Sequence, residues 1–375
     1  QPGREWASRA REVFLMRRLR GAYGRMSSFE ALWRASRLAR RGKRRTAAVA
    51  AFEHDLEREL LALEEELAEG RFAFSGYRVF IVREPAVREI RAAPYRDRVV
   101  HHAICAELEP LLERYLIHDT YACRVGKGTH RALDRLQHFL RGGEWVAKVD
   151  VRKYFFSIDH EILLGRLRRM IDDERFMGLL EQLLATYDAG PGFAFAARAL
   201  PDLLRPRGLP IGNLTSQLLA NFFLEPVDRF IKEELKVRRY LRYMDDLVIV
   251  APTRSTAAEW LEAVRSRLRG LRLKAHPRKT QILPVKNGVR FLGFRSYPHY
   301  RRILRPNLRR FRRRMRRYAG RVAEGAMAEE RVCRSLHAWL GFAGTEEHRD
   351  LIKRILASVR FKPPEAKREF SYWVP

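Results

Sequence analysis

Residues 240–251 read YLRYMDDLVIVA, two short apolar runs on either side of Asp245-Asp246. The pattern predicts a β-hairpin with buried strands and two adjacent acids at its tip. Ordinary hairpin tips prefer Asn-Gly or Asp-Gly, and neighbouring carboxylates raise one another's pKa unless a cation neutralises them. Alone, Tyr243-Met244-Asp245-Asp246 fits a solvated acidic turn as well as a functional tip. A third carboxylate tips the balance. Residues 144–150, EWVAKVD, come directly after Gly142-Gly143 and read as a buried strand that stops on Asp150. A small set of carboxylates of this kind can hold two hard divalent cations, which serve an in-line phosphoryl displacement by activating the attacking hydroxyl and stabilising the leaving oxygen.

Working outward, residues 215–236 and 256–269 have helical character and residues 289–294 make a further strand, so the centre alternates strand and helix in a mixed α/β (α+β) layer. Upstream, Phe52, Leu56, Leu60, Leu63 and Leu67 recur at helical spacing over 50–67, with Glu and Arg filling the other face. Gly70 ends that helix, 77–82 reads as a strand that is broken off at Pro85, and a second helix is expected over 98–116. Downstream, 291–320 holds 11 Arg and no acid, with Leu308, Phe311, Met315 and Tyr318 forming an apolar stripe. This predicts a basic amphipathic helix, suited to a membrane surface or to a groove over nucleic acid.

The whole-chain charge favours the groove. Lys+Arg number 75 against 45 Asp+Glu, a net charge of +30 and a pI near 10.8, so the protein is expected to seek a polyanion. Of the 75 basic residues 63 are Arg, which suits forked phosphate recognition and equally fits a GC-rich coding genome. A length of 375 residues predicts two or three lobes, and 46% hydrophobic residues supply a real interior. Cys105, Cys123 and Cys333 contain no C-x-x-C, which supports neither a disulfide framework nor a zinc site. No apolar run approaches the roughly 20 residues of a membrane span, and an apolar signal core is missing, so a soluble intracellular protein with no membrane partner is expected.

Asp150-Val-Arg-Lys-Tyr-Phe155 resembles motif A of reverse transcriptases, and Tyr243-Met-Asp-Asp246 resembles their motif C. The resemblance covers most of the chain, 52–294 above all, with the motifs in the family's order. It implies a right-hand polymerase. On it, Asp150 and Asp245 bridge two Mg²⁺ ions, with Mn²⁺ a substitute, Asp246 completes the triad, and the Val151 carbonyl is an additional ligand. Phe155 stands where the family sets an aromatic ring beneath the incoming sugar, a flat bulk that excludes a 2′-hydroxyl. Its bland alternative is that Tyr154, Phe155 and Phe156 are core aromatics.

Residues 207–217, RGLPIGNLTSQ, resemble motif B, in which Gly212 lets the backbone approach the template–nucleotide pair and Ser216 contacts it. Most of the family carries Gln and Pro where this chain has Ile211 and Gln217. The form I-G-x-x-x-S-Q resembles the reverse transcriptases of diversity-generating retroelements, whose cDNA is mutated at template adenines. Losing a polar contact at Ile211 would loosen base selection.

Residues 88–102 resemble the fingers motif, with Arg88 placed to grip the triphosphate and Arg83 a second choice; 121–130 continue that pattern. Their Gly126-Lys127-Gly128-Thr129 lacks the preceding Gly and following Ser or Thr of a P-loop, so ATP hydrolysis is rejected. His276-Pro-Arg-Lys279 resembles motif D, whose Lys279 would protonate departing pyrophosphate; the alternative is a surface charge. Phe291-Leu292-Gly293-Phe294 resembles the primer grip, against the plain reading of a strand with a Gly bulge. Arg309 and Arg313 would hold primer and template. His101, His102 and Cys105 share one helix, lack a complementary pair and are given to packing.

The expected lobes are 1–145, an N-terminal extension and fingers; 146–295, a palm with a fingers-type insertion around 166–205; and 296–375, a basic helical thumb. The expected function is error-prone RNA-directed DNA synthesis in a bacterial or archaeal cytoplasm. Its partners would be template RNA transcribed from a repeat, cDNA or primer, deoxynucleotides and a small basic accessory protein. The alternatives are a group II intron-like or other bacterial reverse transcriptase of ordinary fidelity, and a non-catalytic RNA-binding relative, against which the three intact acids stand.

Overall fold

The computed structural model describes residues 18–83, 87–197, 199–344 and 348–357. The break expected at Pro85, residues 1–17 of the expected N-terminal extension and 358–375 of the expected thumb lie outside the described residues. The strands are β1 (Arg78–Val82), β2 (Arg88–Ala92), β3 (Trp145–Asp150), β4 (Tyr240–Tyr243), β5 (Asp246–Ala251), β6 (Gln281–Pro284), β7 (Val289–Phe291), β8 (Phe294–Ser296) and β9 (Arg301–Ile303). They form a β1-β2 hairpin, a four-stranded sheet in the order β4-β5-β3-β6 and a three-stranded sheet β7-β8-β9. The β1-β2, β4-β5, β7-β8 and β8-β9 pairs are antiparallel. No helix among the described residues is long and apolar enough to cross a membrane.

The chain divides into two compact units. One takes the chain to Gly128, Ala147–Ile249 and Ser255–Gln281; the other takes Thr129–Val146, Val250–Arg254 and the chain from Ile282. Four of the six residues of β3 and five of the six of β5 are buried, on both faces of each strand, as their near-continuous apolar sequence requires. The helix expected over 50–67 is two helices, Ala47–His54 and Leu56–Ala68, broken at Asp55. The break lets each piece aim its own apolar stripe: Phe52 packs edge-on to Tyr95 at 5.1 Å, while Leu60, Leu63 and Leu67 are fully buried.

The second upstream helix is Tyr95–Glu113, starting ahead of the expected residue 98 directly after Pro94. The long helix expected over 215–236 is three pieces, Leu214–Phe223, Glu225–Arg229 and a π turn Phe230–Glu234. Pro226 has no N–H to continue the ladder. The carbonyls of Phe222 and Phe223 instead accept from Arg166 Nη1, each at 3.0 Å.

In the second unit the single strand expected over 289–294 is the hairpin β7-β8, with Phe291 paired to Phe294. The helix Arg305–Ala323 buries Phe311, Met315 and Val322, and Phe311 stacks on Trp339 of helix Glu329–Ala343 at 3.9 Å.

Candidate active site

β3 ends on Asp150 and β5 begins on Asp246, and Met244-Asp245 form a two-residue link in which Tyr243 pairs with Asp246. Met244 has φ 55, a left-handed conformation that disfavours a side chain. Two backbone links bring the acids to one place. Val151 N–H donates to the Asp245 carbonyl at 3.3 Å, joining the strand end to the turn, and His276 N–H donates to the Asp150 carbonyl at 2.7 Å. Arg152 N–H donates to Lys274 O at 2.8 Å and Val151 bridges Ala275, so 274–276 runs beside 150–152. That course delivers Lys279, whose Nζ lies 3.1 and 3.3 Å from the Asp150 carboxylate oxygens.

Lys148 precedes Asp150 by two residues, the strand period that puts both side chains on one face. Its ammonium stands 3.1 Å from Asp246 Oδ1, an oxygen buried without a hydrogen-bond partner in good geometry. Burial first, then the charges of Asp246 and Asp150, push the Asp245 carboxyl up to about 6; its own backbone N–H and Lys279 pull the other way. The acids thus crowd into a partly desolvated place and each outer one draws an ammonium.

Sequence reasoning placed Lys279 here and missed Lys148, whose signal was its same-face spacing from Asp150. Hard oxygen donors and a buried, poorly satisfied Asp246 oxygen suit a hard divalent cation. The side chains themselves are not gathered into a ligand cluster: among the described residues no group of three or more His, Cys, Asp or Glu is placed to hold a metal ion.

The nucleotide-binding candidates lie in the same unit. Tyr154 is core, fully buried with its hydroxyl donating to Ala220 O, whereas Phe155 is half-buried and meets Tyr154 edge-on at 5.8 Å. Phe156 stacks on Phe193 at 4.8 Å. Arg88 opens β2 and is exposed.

Ile211 and Gly212 form the turn before helix Leu214–Phe223, and the Ile211 carbonyl accepts from Arg91 N–H at 2.9 Å. Gly212 has φ 127, and a Cβ there would stand 2.8 Å from Ile90 Cγ2, so its close approach is to β2. Ser216 is buried, and Gln217 Oε1 accepts from the Cys123 thiol at 3.3 Å.

Asn213, which sequence reasoning passed over, binds β2 from both ends of its amide. Its Oδ1 accepts from Ala93 N–H at 3.1 Å and its Nδ2 donates to Arg91 O at 3.0 Å. An Asn at a helix N-cap position was the available signal. His101 is buried with Nδ1 3.3 Å from Thr215 Oγ1, burial pushes its pKa down to about 4, and Cys105 is buried; nothing here gathers into a metal site.

The primer-grip and thumb candidates belong to the second unit. Phe291 is buried, and Leu292 and Gly293 turn the hairpin with φ 46 and 89. A Cβ on Gly293 would fall 2.7 Å from Asn307 Nδ2 and 2.8 Å from Phe342 Cζ. Arg309 and Arg313 lie on the exposed face of helix Arg305–Ala323.

The profile of the family described as "Reverse transcriptase (RNA-dependent DNA polymerase)" matches residues 84–296, which contain all three acids and Lys279. Protein YkfC of Escherichia coli is 28% identical over 280 residues, covering 63% of this chain and 71% of YkfC. The group II intron-encoded protein LtrA of Lactococcus lactis is 24% identical over 159 residues, 41% of this chain and 25% of LtrA. Among solved structures, the apo telomerase of Candida tropicalis aligns with a TM-score of 0.46 at 9% identity, covering 64% of this chain and 53% of that one.

Proposed function

This chain belongs to the reverse transcriptase family, and from that premise we propose that it is an RNA-directed DNA polymerase adding deoxynucleotides to a primer 3′-hydroxyl on an RNA template. The observation that carries the reading is the joining of Asp150 to the Asp245-Asp246 turn through the 3.3 Å bond from Val151 N–H to Asp245 O, inside the family match. Asp150, Asp245, Asp246 and the Val151 carbonyl would hold two Mg²⁺ ions, or Mn²⁺ in their stead. Those ions supply Lewis-acid stabilisation of charge on the attacking and leaving oxygens.

The chain's own residues do the rest in this reading. Lys279, at hydrogen-bond distance from Asp150, is placed to give a proton to departing pyrophosphate. Arg88 grips the triphosphate, Phe155 excludes a 2′-hydroxyl, and Ile211, Gly212, Ser216 and Gln217 border the templating pair. Phe291-Leu292-Gly293 press on the primer end, while Arg309 and Arg313 neutralise backbone phosphates. The lobes would be fingers to 145, palm to 295 and thumb beyond.

The finer reading is a diversity-generating enzyme working in a bacterial or archaeal cytoplasm. It would use a template-repeat RNA and a small basic accessory protein, and introduce errors at template adenines. Ile211 and Gln217 support it. A group II intron-like enzyme of ordinary fidelity is supported equally, by the likeness to LtrA.

Primer extension on RNA with Mg²⁺, comparing the natural chain with Asp245→Ala and sequencing the cDNA, separates these readings. Synthesis by the natural chain alone supports the polymerase. Errors concentrated opposite adenine and reduced by Ile211→Gln support the diversity-generating reading, whereas accurate cDNA supports the intron-like one. No synthesis, even with accessory protein and cognate RNA added, would overturn the polymerase reading.

A further inference from the structure

The turn that carries Asp245 rests on a fully buried arginine. Arg242 and Asp228 are each 0% exposed, and every N–H of the guanidinium has an acceptor. Nε donates to Asp228 Oδ1 at 2.8 Å and Oδ2 at 3.0 Å, and Nη2 donates to Asp228 Oδ2 at 2.6 Å and to Asn221 O at 2.9 Å. Nη1 donates to Asn221 Oδ1 at 2.9 Å and to the Met244 carbonyl at 3.0 Å. The carboxylate is equally satisfied, accepting from the Tyr240 hydroxyl at 2.5 Å and the Thr120 hydroxyl at 3.3 Å. Asn221 is held in turn by its Nδ2 bond to Ala122 O at 2.7 Å.

Removing an ion pair from water is unfavourable, and a well-packed apolar pair often does as well for stability alone. This one has a contact that such a pair would lack: the carbonyl of Met244, the residue with φ 55 between β4 and β5. A bulky residue in that conformation persists only where its surroundings over-determine it. A planar fork with five fixed donors can bind Asp228, Asn221 and the turn at once; a lysine ammonium offers one point.

We propose that Arg242 is a positioning residue for the catalytic turn: its Nη1 bond to the Met244 carbonyl, braced by Asp228 and Asn221, holds the left-handed Met244 and so sets the direction of Asp245 and Asp246. The inference rests on the polymerase reading for its kinetic consequence, and on the fold alone for its structural one.

The test compares the natural chain with Arg242→Lys, Arg242→Lys/Met244→Gly and, as a control of equal kind, Arg166→Lys. The control alters the part-buried pair of Arg166 with Glu225, at 2.6 Å, which does not touch the turn. Two readouts are taken on folded protein: amide hydrogen exchange over 243–246, and single-turnover nucleotide incorporation with Mg²⁺. Arg242→Lys is expected to speed exchange in the turn tenfold or more and to lower the incorporation rate 10- to 100-fold with little change in primer–template affinity. Met244→Gly on that background is expected to recover part of the rate, because glycine takes positive φ without strain. Arg166→Lys is expected to leave turn exchange unchanged.

Unaltered turn exchange in Arg242→Lys, or a rate loss that Arg166→Lys matches, would overturn the proposal. An inactive natural chain whose turn still loosens in Arg242→Lys would sink the polymerase reading and leave the positioning role standing. If Arg242→Lys does not fold, Asn221→Ala, which removes one Nη1 acceptor and keeps the ion pair, carries the comparison: faster turn exchange supports the proposal and unchanged exchange overturns it.

Discussion

At the scale of the residue, the candidate site is an exercise in keeping like charges together. Asp245 is pushed up to about 6 by burial and by its two acidic neighbours, and Lys279 and Lys148 answer the charge on Asp150 and Asp246. Lys279→Ala is expected to lower the maximal rate of nucleotide addition by ~100-fold or more, with the KM for nucleotide changed much less, if its role is proton donation. Pre-steady-state kinetics at saturating nucleotide check this; an equal fall in affinity with an unchanged rate would instead make it a binding charge. Gly293→Ala combines positive φ with a Cβ 2.7 Å from Asn307 Nδ2, so it is expected to destabilise the second unit by about 1–3 kcal/mol or more. A thermal melt equal to that of the natural chain would contradict it.

At the scale of the element, the β1-β2 hairpin is tied to the turn before helix Leu214–Phe223 by Arg91 N–H to Ile211 O and by both ends of the Asn213 amide. Asn213→Ala strands the N–H of Ala93, which is buried, and is expected to destabilise by about 1–3 kcal/mol. Amide exchange should quicken in β2 before it quickens in β3, and uniform quickening would argue against a local tie. In the second unit, Trp339→Ala removes the ring stacked on Phe311 at 3.9 Å, with an expected loss of about 3–5 kcal/mol. A chemical denaturation midpoint that stays put would overturn that expectation.

Element types were largely legible in the chain: the hairpin at 240–251, the strand ending on Asp150 and the basic helix are all present. Their interruptions were not. The break at Asp55 answers the separate burial of Phe52 and of Leu60, Leu63 and Leu67, and the break at Pro226 is satisfied by Arg166 from another helix. Each depends on a partner distant in sequence, which periodicity does not report.

At the scale of the whole molecule, a net charge of +30 makes association with nucleic acid an ion-exchange reaction. Affinity for a primer–template duplex is expected to fall roughly 10³-fold or more between ~50 and ~200 mM salt if half a dozen phosphates are neutralised. Arg309→Ala and Arg313→Ala should each reduce the slope of log affinity against log salt by about 1. Fluorescence anisotropy titrations over a salt series check both, and a flat response would exclude a backbone-binding role for Arg309 and Arg313.

The residue types and their order along the chain were enough to determine a strongly basic mixed α/β protein with acids at two strand ends and a third in the turn between strands, because strand period, turn chemistry and net charge are local or additive properties. Only the tertiary structure decided that Lys148 faces Asp246, that Asn213 clamps β2 and that Arg242 donates to the Met244 carbonyl of the acidic turn. Those contacts join residues set apart by other elements, and their strength comes from burial, which exists only once the chain has closed around them.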